Sequence, residues 1–283
     1  MIPDSLPQSG GVVRIVISAA IILLAACGQD SPQDRMLAPA PIHFEQASSD
    51  KQQHGKRLAA VLGCTGCHGE TLAGEDWSEP GFGKLWTANL SRAVPYYSDR
   101  QLADVIQTGR RPDRALWEMP SHLFTQLDPD DMAALIAFLR SVRPTGAIHP
   151  APVFEAGARA EMKAGLFESS ATHVAKEGKL WPPEAGADVA LGRYIVRATC
   201  AECHQMDLRG GTPFPGAQPR PDLRMAAAYD RAQFKSFMRT GKAAGGRELK
   251  MMSDVARGRY SQLTDGELSA VHAYLQKVAA NEP

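Results

Sequence analysis

The chain has 283 residues, and its 31 lysines and arginines are balanced by 31 aspartates and glutamates, so its formal net charge is zero at pH 7. With no net charge, the chain has no overall electrostatic attraction for nucleic acid or for an anionic surface, and no nucleic-acid partner is predicted. The length exceeds one typical domain and fits about two. The five cysteines stand out, one near the N-terminus and four in two close pairs.

The N-terminus holds the one strongly apolar run, residues 15–26, which follows Arg14 and ends in Leu-Ala-Ala before Cys27. A spanning helix needs roughly 20 apolar residues, so this run fits an export signal better than a transmembrane anchor. Its ending resembles a bacterial lipoprotein box, which implies a signal peptide over residues 1–26 and lipidation of Cys27. The acyl chains would hold the protein on the periplasmic side of a bacterial membrane. Ordinary signal cleavage, leaving a soluble protein, is the alternative.

Residues 27–50 are rich in Pro, Gln, Ser and Ala without apolar periodicity, and we interpret them as a lipid-anchored tether. A first domain is predicted over residues 51–143. Its opening helix runs directly into the motif Cys64-Thr65-Gly66-Cys67-His68. Its closing helix is predicted over residues 130–140, with Asp128 as the N-cap.

A proline-containing linker is predicted over residues 144–188, with one short helix near residues 156–167. The second domain is predicted over residues 189–283. A helical pattern again leads into a cysteine motif, Cys200-Ala201-Glu202-Cys203-His204. The second closing helix, residues 267–277, is again amphipathic.

The two halves form an internal repeat. His68 and His204 lie 136 positions apart, and so do Leu127 and Leu263, which precede the two closing helices. Equal spacing of these anchors indicates a duplicated unit. Since no segment alternates with period two, the predicted fold class is all-α with two tandem domains.

Cys-x-x-Cys-His is the attachment signature of c-type haem. Two thiols three positions apart can add to two vinyl groups, and the adjacent histidine then lies under the iron. A zinc site built from both pairs would join cysteines 133 positions apart, Cys67 and Cys200, and leave each histidine without a role. A thioredoxin-like pair would need a βαβ setting, and disulfides within each pair would close very small loops. The sequence therefore predicts two covalently bound haem c groups.

At these motifs the sequence resembles the class I cytochrome c family, over residues 53–277 as two tandem domains. The resemblance implies that His68 and His204 are proximal iron ligands and that a methionine closes the opposite face. In the first domain this is Met119, which stands before Pro120. The second domain offers two adjacent methionines without a following proline; we favour Met252, with Met251 as the alternative.

The resemblance also implies that a backbone carbonyl accepts the ring proton of each proximal histidine. The residue in question is Pro221 in the second domain and Ala88 in the first. Three tryptophans are expected to form crevice walls or core: Trp77, Trp86 and Trp117. His122 and His272 are expected on or near helices at the surface.

With histidine and methionine on both irons, no coordination position is open for a substrate, which predicts electron transfer. Residues 99–109, followed by Met119-Pro120, resemble the cytochrome subunits of membrane-bound alcohol, gluconate and aldehyde dehydrogenases, which commonly carry three haems. The predicted donor is therefore a dehydrogenase or quinol-linked enzyme, and the predicted acceptor a downstream cytochrome or oxidase. The alternative is a dihaem redox enzyme, a peroxidase or thiosulfate-oxidising cytochrome, in which one axial ligand is labile.

Overall fold

The computed structural model describes residues 42–213 and 217–281. The predicted signal peptide, Cys27 and most of the predicted tether lie outside the described residues. Within those ranges the chain is mainly helical with a few two-residue strands, which confirms the all-α prediction. No helix in this part of the chain is long and apolar enough to cross a membrane.

The first domain contains six helices among the described residues. They are α1 (Lys51–Val61), α2 (Cys64–His68), α3 (Leu90–Ala93), α4 (Asp99–Thr108), α5 (Ser121–Phe124) and α6 (Pro129–Ser141). A short strand, β1 (Gly83–Lys84), and a 3-10 turn (Val94–Tyr96) lie between α2 and α4. Helix α1 starts where the Asp50 carboxylate accepts hydrogen bonds from the first-turn amides, and Asp128 caps α6 in the same way, as predicted.

The second domain repeats this order. Its helices are α9 (Ala190–Ala198), α10 (Ala201–His204), α11 (Arg231–Thr240), α12 (Met251–Gly258) and α13 (Asp265–Asn281). Strands β3 (Lys242–Ala243) and β4 (Arg247–Glu248) pair antiparallel. Short 3-10 turns complete it: Ala187–Val189, Leu223–Ala228, Ala244–Gly246 and Tyr260–Gln262.

The opening helix of each domain crosses the closing helix with the two backbones very close together. A Cβ atom built on Gly55 in α1 would lie 1.9 Å from the carbonyl oxygen of Ala134 in α6. In the second domain a Cβ on Gly192 would lie 2.1 Å from the carbonyl oxygen of Ala270. Only glycine allows backbones to approach so closely, so the same crossing is built into both copies.

The linker has more structure than predicted. It forms strand β2 (Val153–Phe154), which pairs antiparallel with β1, followed by helices α7 (Ala156–Ala164) and α8 (Ser170–Glu177). Phe154 and Phe167 pack around Trp117 with ring centroids 4.7 and 4.8 Å away. The linker is therefore an added wall of the first domain, because its aromatic side chains bury themselves against that domain.

The end of the predicted tether is also packed. Phe44 is completely buried, and its ring lies edge-on to that of Tyr194 with centroids 5.5 Å apart. Its amide donates a hydrogen bond of 3.0 Å to Asp131 in α6, and the Glu45 amide donates one of 2.9 Å to Glu267 in α13. A single phenylalanine in a polar stretch has no periodicity, which is why the sequence pattern did not reveal this contact.

Both domains share one core. The apolar side chains buried in the two domains form one continuous cluster in the described part of the chain. Arg57 of α1 also pairs with the fully buried Glu267 of α13, with Nη1 2.7 Å from Oε2. The two repeats are therefore packed directly against each other.

Candidate functional site

The first cysteine motif forms a single helical turn at the end of α1. Gly63 adopts a left-handed conformation with φ +83°, which turns the chain from α1 directly into α2. Cys64, Cys67 and His68 then follow one another on this short helix. Both thiols are free and half-buried, and burial raises the pKa of Cys64 to about 12. Reactive redox thiols have lowered pKa values, so these cysteines do not fit a thioredoxin-like pair.

Both motif histidines are held in the same orientation. The Nδ1 atom of His68 lies 2.8 Å from the carbonyl oxygen of Ala88, and that of His204 lies 2.8 Å from the carbonyl oxygen of Pro221. A carbonyl only accepts, so Nδ1 carries the proton and the Nε2 lone pair is left for a metal. Burial lowers the pKa of both imidazoles, which keeps them neutral. These are the two carbonyl contacts that the family resemblance implied.

The first crevice has a volume of about 400 Å³ and is lined by both cysteines of its motif, by His68 and by Met119. The three tryptophans expected as walls also line it: Trp77, Trp86 and Trp117. The indole of Trp86 stacks on His149 of the linker, with centroids 4.3 Å apart. The structure therefore brings all four predicted site residues of the first domain to one apolar crevice.

Met119 is positioned by the linker. Its amide donates a 3.1 Å hydrogen bond to the hydroxyl oxygen of Ser170, which is buried at the start of α8. The Ser170 amide in turn donates to the carbonyl oxygen of Leu116 at 2.9 Å. Ser170 thus fixes the loop that carries the methionine, a role that sequence reasoning missed because the residue lies outside the repeat.

The second crevice is narrower, about 90 Å³, and is lined by Cys200, His204, Pro221 and Met252. Cys203 follows on the same short helix α10. Met251, by contrast, is 54% exposed and does not line this crevice. Of the two adjacent methionines, only Met252 therefore lines the second crevice, which Met225 and Met238 also line.

A serine also braces the second methionine. The Ser253 hydroxyl donates to the carbonyl oxygen of Gly241 and accepts a 2.7 Å hydrogen bond from the Leu249 amide. Ser253 is fully buried. Ser253 therefore anchors the start of the helix that carries Met252, whereas Ser170 bonds directly to the Met119 amide.

Two histidines outside the cysteine motifs were expected at the surface, His122 and His272. His272 is 2% exposed, so its expected surface position is wrong; its Nε2 lies 2.9 Å from the carbonyl oxygen of Tyr229. His122 is partly buried. Nowhere in the described ranges do three or more His, Cys, Asp or Glu side chains gather in a group that could hold a metal ion.

The first crevice is lined by two thiols, the neutral imidazole of His68 and the thioether of Met119. The second is lined by the Cys200 thiol, the neutral imidazole of His204 and the thioether of Met252, and both interiors are apolar. These donors fit an iron porphyrin: the cysteines would bind it through thioether bonds, and the histidine and methionine would hold its iron. The fold and the site together define a helical protein with two haem-binding domains.

The comparisons with known proteins identify the family. The model of the family described as cytochrome c matches residues 52–143 and 189–279, which is more than half of the chain, and the chain belongs to that family. It carries two covalently bound haem c groups and has an electron-transfer role. The chain is also similar to the fructose dehydrogenase cytochrome subunit of Gluconobacter japonicus, with 24% identity over 290 aligned positions. The alignment covers 92% of this chain and 58% of that relative.

Proposed function

We propose that this chain passes single electrons from a dehydrogenase or quinol-linked donor to a downstream cytochrome or oxidase. The observation that carries the proposal is the duplicated crevice, which is lined in both domains by a neutral histidine and a methionine. Haem iron supplies the one-electron chemistry. The protein supplies the ligands: His68 with Met119 in the first domain and His204 with Met252 in the second.

Paired axial ligands favour electron transfer over catalysis. A peroxidase or a thiosulfate-oxidising cytochrome needs one open or labile iron position. Met252 lines the second crevice, so the second site has a candidate for its sixth ligand. Thioether ligation also raises the reduction potential, which suits an electron carrier.

The proposed donor is a dehydrogenase, because the Gluconobacter japonicus relative, which aligns with 92% of this chain, is named as the cytochrome subunit of a dehydrogenase. This chain spans 58% of that protein's length, so its donor need not oxidise the same sugar. The proposed location is the periplasmic side of a bacterial membrane, with Cys27 lipidated. The lipoprotein-type ending of the apolar run at residues 15–26 supports this part of the proposal.

Methionine variants test the ligand assignment. The full chain would be produced in cells competent in cytochrome maturation, and its haem content measured by mass. Met119→Ala and Met252→Ala should each remove the sulfur-to-iron absorption band of one haem and lower that haem's potential. Met251→Ala is the matched control and should change neither, because its side chain is exposed and does not line the crevice.

Two results would contradict the proposal. If Met251→Ala, and not Met252→Ala, removed the second band, the second ligand pair would be wrong. If the isolated wild-type protein turned over peroxide or thiosulfate, the dihaem enzyme would replace the electron carrier.

The anchor is tested separately. Cys27→Ser should move the protein from the membrane fraction to the soluble fraction while both haems remain attached, because the acyl chains contribute about 0.8 kcal/mol per buried methylene. Retention of the variant in the membrane fraction would refute lipidation at this position.

A further inference from the structure

The two haem attachment segments meet at one side chain, Arg259, which directly follows α12 in the second domain. Its Nε donates to the carbonyl oxygen of Val61 in the first domain at 3.2 Å, and its Nη1 donates to Oε2 of Glu202 at 2.6 Å. Glu202 stands between Cys200 and Cys203 in the second motif and also lines the first crevice. One ion pair therefore touches both attachment segments.

The guanidinium group also packs on the start of the first motif. A Cβ atom on Gly63, the residue before Cys64, would lie 2.7 Å from the guanidinium carbon of Arg259. The Arg259 side chain is 15% exposed and that of Glu202 is 26% exposed. Nη2 of Arg259 is buried and has no hydrogen-bond partner among the described residues. Charges held in such a poorly hydrated boundary are weakly screened by salt.

The pair lies against both motifs. Arg259 contacts Val61 and Gly63, which immediately precede the first motif. Glu202 lies inside the second motif and also lines the first crevice. A change in either charge is therefore felt in both domains.

We propose that Arg259 and Glu202 form a shared electrostatic junction that sets the potentials of the two haem sites together. The inference rests on the proposed function, since it concerns the same two sites. The ferric state carries one more positive charge than the ferrous state. Arg259 therefore disfavours the ferric state and raises both potentials, whereas Glu202 lowers both. Arg259 is a positioning residue, because it acts through the two attachment segments and through its field.

Two variants of the holoprotein test this junction, one that removes its positive charge and one that removes its negative charge. Arg259→Met should raise the ferric-to-ferrous ratio of both haems about tenfold at a fixed applied potential, which for a one-electron couple corresponds to a fall of about 59 mV. Glu202→Gln should shift both ratios in the opposite direction. Each haem would be followed by spectroelectrochemical titration at low and high salt.

Arg257→Met is the matched control. Arg257 lies on α12 and pairs with Glu248 and Asp254 at the surface, with 42% of its side chain exposed. An exposed charge is worth little, so this variant should change either ratio by less than about threefold. Arg259→Lys keeps the charge and should leave both potentials closer to wild type than Arg259→Met does.

If the Arg259–Glu202 pair only held the domain boundary together, the two charge variants would shift the potentials in a different pattern. Loosening the boundary would move the potentials in the same direction in both charge variants, and that result would overturn the proposal. A shift of only one haem, or of neither, in Arg259→Met would also overturn it. If Arg259→Met does not fold, Glu202→Gln and Arg259→Lys carry the same test. Failure of the proposed function is recognised independently, because haem content and the sulfur-to-iron bands are measured on the wild-type protein before titration.

Discussion

Asp131 is a buried carboxyl group at the boundary of the two domains. It is 1% exposed and accepts a 2.7 Å hydrogen bond from the Tyr194 hydroxyl and one of 3.0 Å from the Phe44 amide. Burial is the main cause that raises its pKa from 3.8 to about 6. The nearest imidazole, His54, lies 3.8 Å away, and burial lowers its pKa, so it is a poor cationic partner. The folded protein thus holds a proton on Asp131 that the unfolded chain releases.

This proton predicts a stability that depends on pH. Between pH 3.8 and about 6 the folded state binds more protons at Asp131 than the unfolded state, so its contribution to stability is present below this window and is lost as the pH rises through it. Asp131→Asn should remove this loss, which amounts to about 3 kcal/mol. Denaturant unfolding of wild type and variant across this window measures the difference.

Tyr194→Phe provides the complementary variant. The tyrosine hydrogen bond lowers the pKa of Asp131, so its removal should raise that pKa further and extend the fall in stability to higher pH. A stability difference between wild type and Asp131→Asn that stays constant with pH would contradict the assignment.

Ser170 and Ser253 give a second prediction for single residues. Ser170→Ala removes the acceptor of the Met119 amide and should destabilise the protein by about 1 kcal/mol, since a half-buried donor loses its partner. It should also weaken the sulfur-to-iron band of the first haem only. Ser253→Ala should weaken only the band of the second haem. Band intensity in each variant measures this, and loss of both bands in either one would refute separate bracing.

At the level of the secondary-structure elements, the close helix crossing defines each domain. Gly55 and Gly192 occupy equivalent places where the opening helix meets the closing helix. Each crossing brings a helix backbone directly onto the carbonyl oxygen of its partner. The crossing thus depends on the absence of one side-chain carbon in each copy.

Gly55→Ala should therefore destabilise the first domain by about 3 kcal/mol, because the added methyl group has no space and the helices must separate. Gly258→Ala in α12 is the control: no atom lies within 4 Å of its Cβ position, and alanine should be neutral or stabilising by up to about 1 kcal/mol. Thermal unfolding of the holoproteins compares the two. Equal stability of Gly55→Ala and wild type would disprove the close crossing.

The sequence allowed prediction of the elements that carry their own periodicity. The closing helix of the first domain and its Asp128 cap were predictable because apolar spacing and the capping residue are local signals. The strand in the linker was not predictable from local signals. Val153–Phe154 forms a strand because it pairs with Gly83–Lys84, which lies far away in the chain. The choice between the two adjacent methionines likewise needed the crevice, because neighbouring positions on a helix share the same local sequence.

At the level of the whole molecule, side chains from three regions hold the two domains together. Arg197 of α9 is 1% exposed and donates hydrogen bonds to the carbonyl oxygens of His122 in the first domain and Gly178 in the linker, each at 3.0 Å. Its guanidinium carbon lies 5.0 Å from the centre of the Trp181 ring. Phe44 fills the boundary from the N-terminal side. The domains should therefore unfold as one unit.

Phe44→Ala tests this coupling. Removing the ring from a fully buried position should cost about 3 kcal/mol or more and leave a cavity beside Tyr194. Denaturant unfolding, followed separately at the two haem bands, should then show two transitions where wild type shows one. Ile42→Ala is the control, since Ile42 is 42% exposed and should have little effect. Coincident transitions in Phe44→Ala would show that the domains are coupled without this anchor.

The linker's position on the first domain affects how the molecule can be divided. A fragment ending at residue 143 would expose the indole of Trp117 and leave the Met119 amide without its serine. Such a fragment would therefore report on a damaged site, and a transplantable first module must extend through α8. The linker therefore belongs to the first module, although it lies outside the repeat.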